Sequence, residues 1–395
     1  MEYVRQAGPG LGGLERALRA GGAMTADWAD AFAAVPRAAF LPSLMWPWDM
    51  EAGRSVPVSR AEEPERWQAY ADSDCPVVTQ WDDGDHAGTE PGAVPTSSAS
   101  MPSVVFRMLR DLDVRPGVRV LEVGTATGWN AALLAHRAGG GRVVTVEVDK
   151  EVADRARTAL EAFGSSARVI HGDGFRGYPE GAPYDRIIAT CGLRRFPRAW
   201  VEQCRAGGIL VAPWGTHFSN ADAVVRLVVA EDGQSASGRF TGPVEFMKLR
   251  AQRLPMVVHG EYVRGSVAEG RETSTDVMEA EFLGGAFGPQ RFVFGLRVPD
   301  CLQVAAEKRE GARPVWFYGL RDRSWACVQF RDGGTARVWQ YGVRRLWDEV
   351  EAAYRWWVGN GRPGYERFGL TVAEDGEQVW LDEPGEMCGL PHDIR

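Results

Sequence analysis

The chain has little of what metal-dependent, disulfide-stapled or membrane-spanning proteins need. Its 395 residues include only six cysteines and six histidines. The cysteines (Cys75, Cys191, Cys204, Cys301, Cys327, Cys388) are scattered without a C-x-x-C pair. That spacing predicts reduced thiols rather than staples or zinc ligands. The histidines are equally isolated, so no metal site is expected. No apolar run approaches the ~18–20 residues of a membrane span. The opening Met-Glu-Tyr-Val-Arg has no apolar signal core, and a cytoplasmic protein is expected. Positive charge is not in surplus either: 45 Lys and Arg against 53 Asp and Glu leave a net −8. This gives no support to nucleic-acid binding, which usually shows a basic face. It would suit a neutral or basic peptide. No internal repeat is visible.

What is present is a globular composition, 45% hydrophobic and 25% charged. The length argues for two domains, because single cores stop growing near ~250–300 residues. Fifteen tryptophans, including Trp46-Pro-Trp48 and Trp356-Trp357, fit either core filling or a partner-gripping surface.

The segment Arg119-Val-Leu-Glu-Val-Gly-Thr-Ala-Thr-Gly128 reads as a buried strand turning through glycines into a helix over 129–138. Such a turn opens a βαβ unit with a ligand crevice at the carboxyl ends of the strands. The glycines are spaced Gly124-x-x-x-Gly128, not G-x-G-x-x-G, and Glu122 precedes them. A carboxylate there would repel the pyrophosphate of a dinucleotide. It suits a cationic ligand such as S-adenosylmethionine, with its ammonium and sulfonium. The next strand, Arg142–Asp149, ends in Glu147, placed to take two ribose hydroxyls. The third, Ala167–Gly174, ends in Asp173-Gly174, suited to the adenine edge. The candidate donor set is Glu122, Gly124, Thr125, Gly128, Glu147, Val148, Asp173, Gly174 and Thr190, with S-adenosylhomocysteine as the spent form.

Around this motif, residues 11–42 read as helices with Leu14, Leu18, Trp28 and Phe32 inward. Residues 43–96, rich in Pro, Gly, Asp and Ser, read as a long functional or disordered loop. Pro102–Leu112 reads as a helix, followed by βα alternation to Gly208–Pro213. A closing antiparallel pair is expected at 223–229 and 244–249. The expected architecture is α/β: a Rossmann-like class I methyltransferase sheet of seven strands over 1–252, with an α+β accessory domain over 253–395. In that second domain 291–298, 315–318, 325–330 and 336–341 read as strands, Asp332-Gly333-Gly334 as a hairpin turn, and 346–357 as a helix. Phe368–Val372 and Gln378–Leu381 add short strands.

Residues 11–250 also resemble the protein-L-isoaspartate O-methyltransferases. The resemblance is carried by Val35-Pro-Arg-Ala-Ala-Phe-Leu-Pro42, Ser98-Ala-Ser-Met-Pro102, Leu121–Ala131, Gly172-Asp-Gly174, Pro183–Ile188 and Gln203–Gly208. It implies that Ser100 sits over the methyl donor and helps hold the acceptor carboxylate. A bland alternative makes Ser100 the N-cap of the helix after Pro102. The family usually has glutamine where this chain has Met101, which hints at a changed substrate. The candidate acceptor-binding residues are Ser98, Ser100, Trp129, Asn130, Asp82 and Asp83, the last two being equally plausible turn residues. The 43–96 segment, with Thr79–Gly84, and the C-terminal domain look like actinobacterial homologues encoded beside ribosomally made peptide pathways (lanthipeptides, lasso peptides, graspetides, imiditides). That implies methylation of an aspartate in a precursor peptide and closure to aspartimide, by a monomer whose accessory domain recognises the peptide. The alternatives are a repair methyltransferase acting on damaged proteins and a non-catalytic peptide-binding module.

Overall fold

A computed structural model describes residues 10–385. The opening five residues and Cys388 lie outside the described residues. Helices α1 (Leu11–Ala20) and α2 (Ala29–Ala34) bury Leu14, Leu18, Trp28 and Phe32, the residues whose spacing marked them.

The next segment overturns a sequence expectation. Residues 43–99 are ordered: β1 (Leu44–Asp49), β2 (Arg54–Ser55), β3 (Val58–Ser59), β4 (Val77–Trp81) and β5 (Pro95–Ala99) form a small antiparallel sheet beside α3 (Pro64–Ala71). A separate core of Met45, Val58, Trp67 and Val77 holds it together. Its strands are two to six residues long and set among turn residues, so period-two alternation had no length over which to show.

After α4 (Pro102–Leu112) comes the main sheet, with β6 (Val120–Val123), α5 (Trp129–Ala138), β7 (Val143–Glu147), α6 (Lys150–Phe163), β8 (Arg168–His171), β9 (Tyr184–Ala189), α7 (Arg198–Gln203) and β10 (Cys204–Trp214). Strands β8-β7-β6-β9-β10 run parallel in that order, with the first glycine turn at the centre. The sheet continues antiparallel through β11 (Asp222–Val229) and β12 (Ala236–Val244). The second closing strand is therefore 236–244, not 244–249. Gly238, Gly242 and Pro243 gave it a turn-like composition. Gly238 is there because a Cβ would meet the Arg226 carbonyl at 1.9 Å.

A second antiparallel sheet follows, ordered β13-β17-β16-β15-β14: β13 (Arg271–Thr275), β14 (Cys301–Ala305), β15 (Ala312–Gly319), β16 (Trp325–Arg331) and β17 (Ala336–Tyr341). Helices α8 (His259–Tyr262), α9 (Glu279–Leu283), α10 (Gln290–Arg297) and α11 (Leu346–Gly359) accompany it. Residues 291–298, expected as a strand, lie largely in α10. Phe292, Val293, Phe294 and Leu296 are all buried and follow one another in a short run, which by itself does not tell a helix from a strand.

The chain then returns to the main sheet. β18 (Phe368–Ala373) pairs with β12, and β19 (Gly376–Leu381) pairs with β18, making nine strands instead of seven. The boundary near 253 is thus crossed twice by structure. One continuous apolar core runs from Leu121 and Ile187 to Val328 and Trp347. Twelve of the fifteen tryptophans are buried, which favours core filling; Trp48 is the most exposed.

Glu377 on β19 reaches back to this core, accepting the Phe196 N–H and, at 3.0 Å, the Trp214 indole N–H. Burial pushes its carboxyl up to about 7, against the pull of those two donors. Raised above its unfolded value, this group stabilises the fold fully in acid and loses that contribution as pH rises through 7. Unfolding followed from about pH 5 to about pH 8 is expected to show Glu377→Gln losing ~2–3 kcal/mol less stability than wild type.

Candidate functional site

The crevice begins where β6 turns into α5. Gly124 and Gly128 have φ of +99° and +90°, a region that favours glycine. A Cβ on Gly124 would lie 2.5 Å from the Thr190 hydroxyl. That hydroxyl, at the end of β9, donates to the carbonyls of Val123 and Gly124 and fixes the turn. Beside them Thr125 and Thr145 share a buried hydroxyl contact of 2.6 Å.

Glu122 is fully buried beneath this turn. Asn130, in the first turn of α5, donates to its Oε1 at 2.6 Å. Its Oε2 and the Asn130 Oδ1 have no protein partner. Burial pushes the Glu122 carboxyl up to about 7; Thr145 and Asn130 pull it back in part, and Glu147 adds to the rise. A buried carboxylate with an open oxygen calls for a cation or a donor. The ammonium of S-adenosylmethionine supplies both, so the residues present fit that group.

Glu147, at the end of β7, accepts the Ala126 N–H on one oxygen and the Asp149 N–H on the other, at 3.0 and 3.1 Å. Both bonds come from the backbone and aim the carboxylate, leaving each oxygen a further lone pair for a ribose hydroxyl. Val148 beside it is exposed. Asp173 is exposed and caps the short turn after it by accepting the Phe175 N–H. Gly174 is buried, and a Cβ there would meet Val123 at 2.4 Å.

On the other side of the crevice lie Ser98 and Ser100. A narrow cavity is lined by both, with Gly124, Thr125, Trp129, Asn130 and Thr190. The structure thus gathers seven of the expected residues around one cavity. Phe246, Met108 and Ile188 also line it; as single apolar side chains on three separate elements they carried no local signal.

Ser100 is not the N-cap of α4. Met101 holds that position, and the Ser103 N–H is taken by Asp74 at 2.8 Å. The Ser100 hydroxyl makes no hydrogen bond among the described residues, while its carbonyl is held by Arg37 at 3.0 Å. Arg37 is buried and donates also to the carbonyls of Ser73, Cys75 and Ala99 at 3.4, 3.0 and 2.9 Å. Its guanidinium lies 5.7 Å from the Trp129 ring centre, and the Trp129 indole donates to the Val35 carbonyl. Arg37 was missed as a functional residue. A lone charge inside the apolar run Val35–Leu41 was the signal available.

Asp82 and Asp83 do not face the cavity as free carboxylates. Asp82 accepts the N–H groups of Ala93 and Val94, which hold its carboxyl below the usual range. Asp83 pairs with Arg253 at 2.9 Å and Arg250 at 3.0 Å. Arg250 also reaches Asp149 at 3.2 Å, and Gln80 donates to the same Asp149 oxygen. Burial alone would raise Asp149, but the bonds from Val152 N–H, Gln80 and Arg250 outweigh it and hold it low. Asp83 thus fastens the small sheet to the donor side of the crevice, while Asp82 ties together the connection between β4 and β5. Among the described residues no cluster of side chains could hold a metal, and no helix is long and apolar enough to cross a membrane.

A family model described as Protein-L-isoaspartate(D-aspartate) O-methyltransferase (PCMT) matches residues 58–253. The protein-L-isoaspartate O-methyltransferase of Ignicoccus hospitalis is 41% identical over 150 residues, 38% of this chain and 64% of that protein. That of Pyrococcus horikoshii is 39% identical over 40% of this chain and 72% of its own length, and that of Methanococcoides burtonii 35% over 47% and 84%. A solved structure named protein-L-isoaspartate O-methyltransferase aligns with 94% of this chain and 99% of its own, at 21% identity and a TM-score of 0.52, a likeness of fold. With a donor crevice of fitting chemistry and relatives matched over most of their own length, the chain belongs to the protein-L-isoaspartate O-methyltransferase family of S-adenosylmethionine-dependent carboxyl methyltransferases.

Proposed function

We propose that this protein methylates an aspartyl carboxylate in a polypeptide, with Ser100 holding the acceptor. The observation that carries this reading is the unpartnered Ser100 hydroxyl lining the same crevice as the Gly124–Gly128 turn. S-adenosylmethionine, when bound, supplies a methyl group on a cationic sulfur. Glu122, Glu147 and the turn hold its polar ends. The acceptor needs no general base, because a carboxylate with a pKa near ~4 is already ionised at neutral pH. Ser100 donates to one carboxylate oxygen and leaves the other free to attack. Phe246, Met108, Ile188 and Trp129 keep water from the reacting atoms.

The ester is a better electrophile than the acid. The following backbone nitrogen attacks its carbonyl carbon, gives up its proton, and methanol leaves as a five-membered succinimide closes. We propose that the acceptor is a normal aspartate in a ribosomally made precursor peptide and that this aspartimide is the product. Support comes from the small sheet beside Ser98 and Ser100, and from Met101 where the family usually has glutamine. A repair reading has its own support. The aligned solved structure extends over 94% of this chain, so the C-terminal region by itself is no mark of a biosynthetic role.

Matched peptides carrying L-aspartate or L-isoaspartate at one position separate the two. Methyl transfer to the L-aspartyl peptide, followed by loss of methanol, is the expected result. Transfer to the isoaspartyl peptide alone would leave repair as the function. Ser100→Ala should lower the rate by about 10–100-fold, the worth of one hydrogen bond to a charged group, with donor affinity unchanged in calorimetry. Equal loss of both would remove Ser100 from the acceptor.

A further inference from the structure

A second cavity, of about 360 Å³, lies between the main sheet and the C-terminal sheet. Its floor is polar and incompletely satisfied. Gln303 on β14 is only 8% exposed, yet neither its amide oxygen nor its amide nitrogen has a partner. Arg291, on α10, also lines the cavity, and its Nε is buried without a partner. Asp222 in the wall is already shared by Arg194 and Lys248, both at 2.7 Å. With Asp222 neutralised in this way, Arg291 and Glu245, the latter exposed at the rim, are the remaining charges in the lining. Orphaned buried amides and guanidinium groups are rare in folded proteins because desolvation is costly. Here both line one cavity, and each can donate to a carboxylate.

The cavity also borders an open strand edge. β14 is the last strand of its sheet. The Gln303 N–H points away from β15 to the Phe218 carbonyl at 2.8 Å, so alternation turns the Gln303 carbonyl and the Ala305 N–H outward as well. An extended chain laid along this edge would take both, as in strand addition. The cavity is continuous with the methylation crevice in sequence: Val244 and Glu245 line one and Phe246 lines the other. Both open at the ends of β11 and β12 that face the donor turn.

We infer that this cavity binds an extended segment of the polypeptide substrate, main chain along β14 and a carboxylate on Arg291 and Gln303. The inference rests on the proposed polypeptide acceptor and names where a flanking part of it sits. The carboxylate has two sources, an acidic side chain or the peptide's own C-terminus.

The test uses the full-length protein and a short, fluorescein-labelled extended peptide with one aspartate to be methylated and one acidic flanking residue. Anisotropy gives its affinity without donor, and hydrogen exchange reports on the Ala305 amide. Slowed exchange there on binding is expected, as is about tenfold weaker binding to Arg291→Glu and to Gln303→Met. Both variants are first checked for wild-type unfolding temperature and donor affinity. Loss of affinity on replacing the flanking acid by its amide assigns a side-chain carboxylate; loss on C-terminal amidation assigns the terminus. The inference is overturned if no peptide binds, if the Ala305 amide stays unprotected, or if both variants bind as wild type. Binding without methyl transfer would keep the cavity's role and sink the proposed activity instead.

Discussion

Replacing Arg37 by methionine is expected to lower the unfolding free energy by ~3–5 kcal/mol and to slow methyl transfer by about 100-fold at temperatures where the variant is still folded. Four carbonyls converge on this one guanidinium, from Ser73, Cys75, Ala99 and Ser100. Methionine fills similar space but leaves them without a donor, each at ~1–3 kcal/mol if it stays dry. Water can reach the partly exposed Ser73 and Ser100 and recover some of that. The functional loss has a different origin. Ser100 stands on the clamped backbone, and displacement of a positioned group by about 1 Å can cost ~100-fold in rate. Arg37→Lys keeps the charge but not the fork, and should recover only part of either loss. Chemical denaturation and single-turnover methylation at one temperature separate the two effects. Unchanged stability in the methionine variant would show that the clamp is not what holds this loop.

The second large effect concerns pH. With the Glu122 carboxyl pushed up to about 7, the free protein at neutral pH carries it only partly ionised. A cationic donor selects the ionised form. As pH falls through 7, protonation must be reversed before binding, so affinity weakens in acid. From about pH 8 to about pH 6 donor affinity should drop about tenfold, and Glu122→Gln should flatten that slope while binding weakly throughout. The neutral-acceptor carboxylate of Glu377 titrates in the same range, but it contacts Phe196 and Trp214 rather than the crevice; Glu377→Gln should leave the slope intact. A wild-type affinity constant over this pH range would show that Glu122 does not face the donor's charge.

Much of the catalytic half was legible before any coordinates. Parallel strands buried on both faces leave long apolar runs, and each ended in a glycine or carboxylate that packing alone does not require. Glu122, Gly124 and Glu147 were singled out this way. What was not legible depended on contacts across long sequence distances. Asp83 could not announce its partners Arg250 and Arg253, about 170 residues away. Arg37 holds carbonyls up to 63 residues off. The helix over 290–297 was hidden because its apolar residues fall in one run too short to separate helix from strand. Ser237–Val244 was hidden because close strand approach demanded Gly238, and glycine reads as a turn.

The last pairing in the main sheet carries a consequence for how the protein is made. Strand β12 is finished by β18, which the ribosome delivers about 130 residues later. Until then a nascent chain with a complete donor crevice presents an open, hydrogen-bond-hungry margin. Released early or cut near residue 252, it would offer that margin to a neighbouring chain. A shortened version is therefore expected to associate with itself rather than behave as a simpler enzyme.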